Sequence, residues 1–104
     1  PLRAPMIVTV VASISEHPKV PEVEQLITAG CAAHAIQLAA FAQGLGAMWR
    51  SGSMMFDAHV KQSLGLATNE SIVGFLYLGQ PTKIREVQSV DSSLFVTKAN
   101  ISAV

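Results

Sequence analysis

From Gln25 to Trp49 the chain carries no aspartate, glutamate, lysine or arginine. An uncharged run of this length is either a membrane span or a helix hidden inside a fold. A transmembrane helix needs about 20 predominantly apolar residues. This run contains Gln25, Thr28, Gly30, His34, Gln37, Gln43, Gly44 and Gly46, and much of the remainder is alanine. Alanine drives insertion weakly beside Leu, Ile, Phe or Val, and no basic flank orients the segment. The segment therefore reads as a buried helix, and no membrane partner is expected. Pro21, Glu22 and Glu24 suit its positive end, and Gly44 suits a left-handed stop after Gln43. Apolar or small residues lie all round it, as in a helix at the centre of a core. Gly30, Ala32, Ala33, Ala35, Ala39 and Ala40 would let another backbone come close.

The rest of the chain supplies strands. Met6–Ala12 is β-branched and nearly continuous in apolar character, which predicts a strand buried on both faces. Ala47–Trp49 reads as a short strand broken by Arg50–Ser53, Asp57–Leu64 as a short helix, and Ser71–Leu78 as a second buried strand. Beyond Pro81 the chain turns polar apart from Leu94–Val96 and the last few residues. Residues 85–104 read as an extended tail. Its Leu94-Phe95-Val96 patch can either dock on a neighbouring sheet edge or tether a loose terminus. The order of elements is an α/β or α+β pattern in a single domain, residues 1–104.

Charge and cysteine content narrow the function. Only 13% of residues are charged and the formal net charge is zero, against about 25% charged in ordinary globular domains. Zero net charge argues against a nucleic-acid partner and a polybasic membrane anchor. Half the residues are apolar, which excludes disorder and implies that much surface is hidden against something else. No signal-peptide pattern is visible, so the cytoplasm is the expected compartment. Cys31 and His34 share a helix face, but two ligands are too few for zinc, and no metal site is expected. Cys31 reads as core packing. No paired catalytic carboxylates, nucleophile elbow or P-loop occur, so no catalytic side chain is assigned. If the chain is an enzyme, a cofactor carries the reactive atoms.

Trp49-Arg50-Ser51-Gly52 is the most informative stretch. It places a flat apolar wall, a permanent cation, a hydroxyl and a glycine at a strand end, where α/β sheets bind ligands. A planar, partly anionic cofactor suits that set; an edge tryptophan packed under a surface arginine is the alternative. Lys83 and Arg85 follow the last strand and can meet a phosphate, or form an ordinary solvated pair. Gly44-Leu45-Gly46 closes a helix and precedes a strand, the reverse of a dinucleotide-binding fingerprint.

As an ordered set, Lys19-Val-Pro21, Glu24-Gln25, Ala29-Gly-Cys31, Ala39-Ala40, Ala42-Gln-Gly44, Trp49-Arg-Ser-Gly52 and Ile72–Gly79 resemble the nitroreductase family. They are most similar to its bacterial NAD(P)H-dependent members. The resemblance runs from Pro1 to about Val96. It implies an α+β nitroreductase-like fold, with a central mixed sheet around a long buried helix, in an intertwined homodimer. It implies FMN as cofactor, NADH or NADPH as electron donor, and nitroaromatics, quinones or similar small molecules as acceptors. It places Trp49, Arg50, Ser51 and Gly52 against the flavin and Lys83 and Arg85 on the phosphate side. Gln43 and Gly44 fall on the nicotinamide side, and the tail matches an arm laid on a partner subunit. It also implies that the chain corresponds to the C-terminal half of such a protein, without the half that clamps the FMN phosphate. The competing expectation is a non-catalytic interaction or cofactor-holding module.

Overall fold

The computed structural model describes residues 3–102. Strand β1 spans Met6–Ser13, helix α1 Glu22–Ala42, strand β2 Gly46–Arg50, helix α2 Ala58–Ser63 and strand β3 Glu70–Gly79. Short 3-10 turns occupy Ser53–Phe56 and Ser92–Leu94. The strands form one sheet in the order β1-β3-β2. Both pairings are antiparallel, Met6 facing Leu78 at one end of β1 and Gly46 facing Gly79 at the start of β2. The architecture is α+β. The described residues by themselves form an antiparallel sheet, not the mixed sheet the resemblance implies.

β3 is the central and longest strand, and both neighbours pair with it. Its Ile72, Phe75, Leu76 and Leu78 are buried, Leu76 completely. A register shift between Val10 and Val11 bends β1 and moves Val11 opposite Ile72. With alternation along each strand, one sheet face presents Val8, Val10, Leu76, Leu78, Ala47 and Trp49. The other presents Ile7, Thr9, Phe75, Tyr77, Met48 and Arg50.

α1 begins and ends where its capping residues require. Pro21 is its N-cap, Glu22 and Glu24 lie in the first turn, and Gly44 leaves the helix with φ 78°. The Leu45 N–H returns to the Ala40 carbonyl at 2.9 Å, which also accepts from the Gln43 N–H at 3.0 Å, and the two bonds close the last turn. The packing corrects the expectation of a helix buried all round. Only Ala33 and Ala40 are buried, and Ile36 is half-buried beside them against Val10, Leu76 and Leu78. Small residues let this stripe reach the sheet. Val23, Ile27, Leu38 and Phe41 stay exposed on the far side. Cys31, expected in the core, is exposed as well. α1 is long and apolar enough to cross a membrane by length and composition, but here it lies on the sheet.

The loop after β1 is tied to α1 by Gln25. Its amide donates to the Ser15 and Val20 carbonyls, both at 2.9 Å, and its Oε1 accepts from the Ser15 N–H at 3.0 Å. Asp57 caps α2, its Oδ1 accepting from the His59 N–H at 2.8 Å and the Val60 N–H at 3.2 Å. Replacing Asp57 with alanine should cost about 1 kcal/mol, read as a fall in urea midpoint with an unchanged slope. Retention of the wild-type midpoint would mean that α2 does not rest on this cap. In the tail, the Ser93 hydroxyl and then its N–H donate to Asp91, which lowers the Asp91 pKa from its usual value. Leu94, Phe95 and Val96 are exposed and form no strand.

Candidate functional site

β2 runs one residue further than the sequence suggested, so Arg50 belongs to the strand. This fixes the directions of the four key residues. Trp49 and Arg50 are consecutive in a strand and therefore point to opposite faces of the sheet.

The Arg50 guanidinium carbon lies 5.8 Å from the centre of the Tyr77 ring, within cation–π range. The arginine stands between two clefts, one on the sheet face opposite α1 and one at the end of the strands. The first, of about 440 Å³, is floored by Ile7, Thr9, Phe75 and Tyr77 and walled by Val60 and Leu64 of the α2 segment. Ser51 and His59 supply polar groups at its edge. The second, of about 390 Å³, opens at the end of the strands, where Arg3, Arg50 and Lys83 converge and no acidic residue lines the wall. Arg50 and Tyr77 line both clefts, so an apolar bay and a cationic bay meet at this pair.

The turn after Arg50 adds backbone polarity. Gly52 has φ 118° and ψ −166°, a region essentially closed to side-chain-bearing residues. Its carbonyl accepts from the Met55 N–H at 3.1 Å, which starts the 3-10 turn. Among the described residues no protein acceptor takes the Gly52 N–H, and a Cβ built there would meet nothing within 4 Å. The turn is thus an open donor beside the apolar bay.

The other candidates separate. Lys83 joins the cationic bay, whereas Arg85 does not line it and is exposed. Gln43 turns its amide back onto the Ala39 carbonyl at 3.2 Å and helps finish α1. Gly44 makes the adjoining turn, apart from both bays. Sequence reasoning missed Arg3, Phe75 and Tyr77. Alternation along β3 could have placed the two aromatics on the Arg50 face, but only the pairing of β1 with β3 brings Arg3 near. A larger cleft of about 760 Å³ lies under the loop from Ile14 to Glu22. It is lined by Glu16 and Glu22 with no cation, which makes it a poor match for an anionic ligand. No metal-holding cluster exists among the described residues.

Known proteins resemble the chain in sequence and fold. Residues 1–80 match the nitroreductase family. The chain is 52% identical over 81 residues to YdjA of Escherichia coli K12, provisionally named an NAD(P)H nitroreductase. That match takes in 78% of this chain and 44% of YdjA. An FMN-dependent nitroreductase from Clostridium difficile R20291 superposes with a TM-score of 0.74 at 20% identity, over 94% of this chain and 59% of that one. The NADPH:FMN oxidoreductase of Vibrio harveyi, solved with NAD+, gives a TM-score of 0.64 at 25% identity, over 79% of this chain and 36% of that one. The chain spans from 36% to 59% of the length of these relatives.

Proposed function

The chain belongs to the nitroreductase family, and from that premise we propose that it forms part of an FMN-dependent oxidoreductase. In this reading the enzyme takes hydride from NADH or NADPH and passes it to nitroaromatics, quinones or similar small acceptors. The supporting observation is the meeting of an apolar bay and a cationic bay at Arg50 and Tyr77. FMN has the matching parts, a planar ring system and a phosphate.

The donor chemistry fits. Arg3, Arg50 and Lys83 can neutralise a phosphate, and arginine adds a planar fork of donors. Phe75 and Tyr77 give the ring system an apolar surface. The Gly52 N–H is available to an acceptor atom on the flavin edge. Bound FMN would supply the hydride chemistry, which no side chain of this site offers. The protein residues then have three tasks: they hold the anion, exclude water from the ring face, and place donors where negative charge grows on reduction. None of them needs to give or take a proton. The working form in this reading is a cytoplasmic homodimer.

The test is FMN uptake by the full-length protein, followed by quenching of flavin fluorescence. Arg50→Ala and Lys83→Ala should each weaken binding about tenfold, the loss of one charge-assisted contact. A full-length protein that takes up no FMN would end this reading. The chain's limited span of its relatives keeps one alternative in view, a cofactor-holding module without turnover. FMN binding with no flavin-dependent oxidation of NADH or NADPH would favour it.

A further inference from the structure

We propose that Trp49 is a positioning residue for the flavin site, acting as a wedge that holds the Arg50–Gly52 turn and not as a wall against the ligand. The proposal rests on the flavin reading above.

Three contacts define the wedge. A Cβ added to Gly74 would collide with the Trp49 indole, at Nε1 and at Cδ1 and Cε2, the last two at 2.7 and 2.9 Å. The ring therefore lies directly on the β3 backbone. A Cβ added to Gly30 would sit 3.7 Å from Cη2, so the far edge of the ring reaches α1. The indole thus spans the gap between sheet and helix, with a glycine at each end making room for it. Its Nε1–H donates to the Val73 carbonyl at 3.2 Å, which sets its orientation as well as its place. An indole used in this way faces α1, whereas the apolar bay lies on the opposite face of the sheet and the cationic bay opens at the strand ends, lined by Arg50 and not by Trp49.

The consequence for the site follows from the register. The β2–β3 pairing ends at Arg50 opposite Phe75, and the Gly52 turn beyond it has no ladder partner. The last side chain that crosses to β3 on the helix side before the turn is Trp49. Shifting the indole shifts the Arg50 backbone, and with it the guanidinium over Tyr77 and the Gly52 N–H. Small displacements matter because aligned donors lose strength steeply with angle.

The test uses the full-length protein as wild type, Trp49→Phe and Gly74→Ala. Phenylalanine keeps an aromatic ring without the Nε1–H, and alanine at position 74 displaces an intact indole. FMN affinity, the midpoint potential of bound FMN and thermal stability are measured for each. Trp49→Phe should weaken FMN about tenfold, the scale of one well-placed hydrogen bond. If that loss falls on the reduced flavin, the midpoint drops by about 30 mV, the two-electron equivalent of tenfold. Gly74→Ala should do the same with the tryptophan retained. Unchanged affinity and potential, even with a lowered Tm, would show an ordinary structural residue and overturn the proposal. Trp49 is the one tryptophan of these 104 residues, so in 5-fluorotryptophan-labelled wild type its fluorine resonance is assigned as the one that Trp49→Phe removes. Addition of FMN should leave its fluorine resonance nearly in place. A large ring-current shift would put the indole against the flavin and overturn the wedge. A wild type that binds no FMN overturns the flavin reading itself and this proposal with it, a result distinct from the others.

Discussion

Replacing Leu76 with alanine is expected to lower the unfolding free energy by about 3 kcal/mol, within the range for fully buried leucines. Leu76 is 0% exposed and sits at the middle of the central strand. Val8 faces it from β1 and Trp49 from β2, while Ala33 and Ala40 close over it from α1. The truncation leaves a cavity that little can fill. The helix already approaches through alanines, so it has no long side chain to swing into the gap, and the two flanking strands are held in register. The loss is a large fraction of the 5–15 kcal/mol by which domains are stable. Urea unfolding followed by Trp49 fluorescence measures it, as a lower midpoint with the same slope. Leu38→Ala on the exposed side of α1 is the control, with an expected change within about 0.5 kcal/mol. Comparable losses in the two variants would mean that α1 does not pack through its small-residue stripe.

The same stripe explains what could be read from the sequence and what could not. Both ends of α1 were legible because local chemistry decides them: the carboxylates after Pro21 and the left-handed Gly44 need no tertiary partner. β1 and β3 were legible from unbroken β-branched and apolar runs. The face that α1 lays on the sheet was not, because apolar residues surround it and leave no period to read. Side-chain volume decides that face: Gly30, Ala33 and Ala40 form the side that can reach β3. Cys31 was misplaced for the same reason, since its apolar neighbours in sequence lie on a side of the helix that the described residues leave uncovered. At the site, the residue types at 49–52 were legible and their directions were not. Including Arg50 in β2 sends the cation and the indole to opposite faces, which a break before Arg50 concealed. Arg3 and Lys83 share a bay because the start of β1 pairs with the end of β3, a long-range fact of topology.

Gly52→Ala should cost more at the site than any single charge removal, weakening FMN about a hundredfold with a smaller loss of stability. The reason is the backbone. At φ 118° and ψ −166° a Cβ is strained whatever space surrounds it, and such conformations cost about 1–3 kcal/mol for residues other than glycine. The space is in fact open, with nothing within 4 Å of an added Cβ, so a steric clash is not the mechanism. The chain escapes the strain by rotating the turn, and the turn is free to rotate because it lies beyond the last β2–β3 pair. Stability therefore falls by at most the strain energy, whereas binding loses more. Rotation turns the Gly52 N–H away, shifts the neighbouring Arg50, and disturbs the carbonyl that receives the Met55 N–H. Two weakened contacts of about tenfold each give the hundredfold figure. Titration of the full-length variant with FMN measures it, alongside Gly65→Ala as a control. Gly65 also has a positive φ, 72°, in an equally open position, but it follows α2 and lines neither bay. Gly65→Ala should lose stability and keep its FMN affinity. Equal affinity losses in the two variants would trace the effect to general destabilisation and remove the turn from the site.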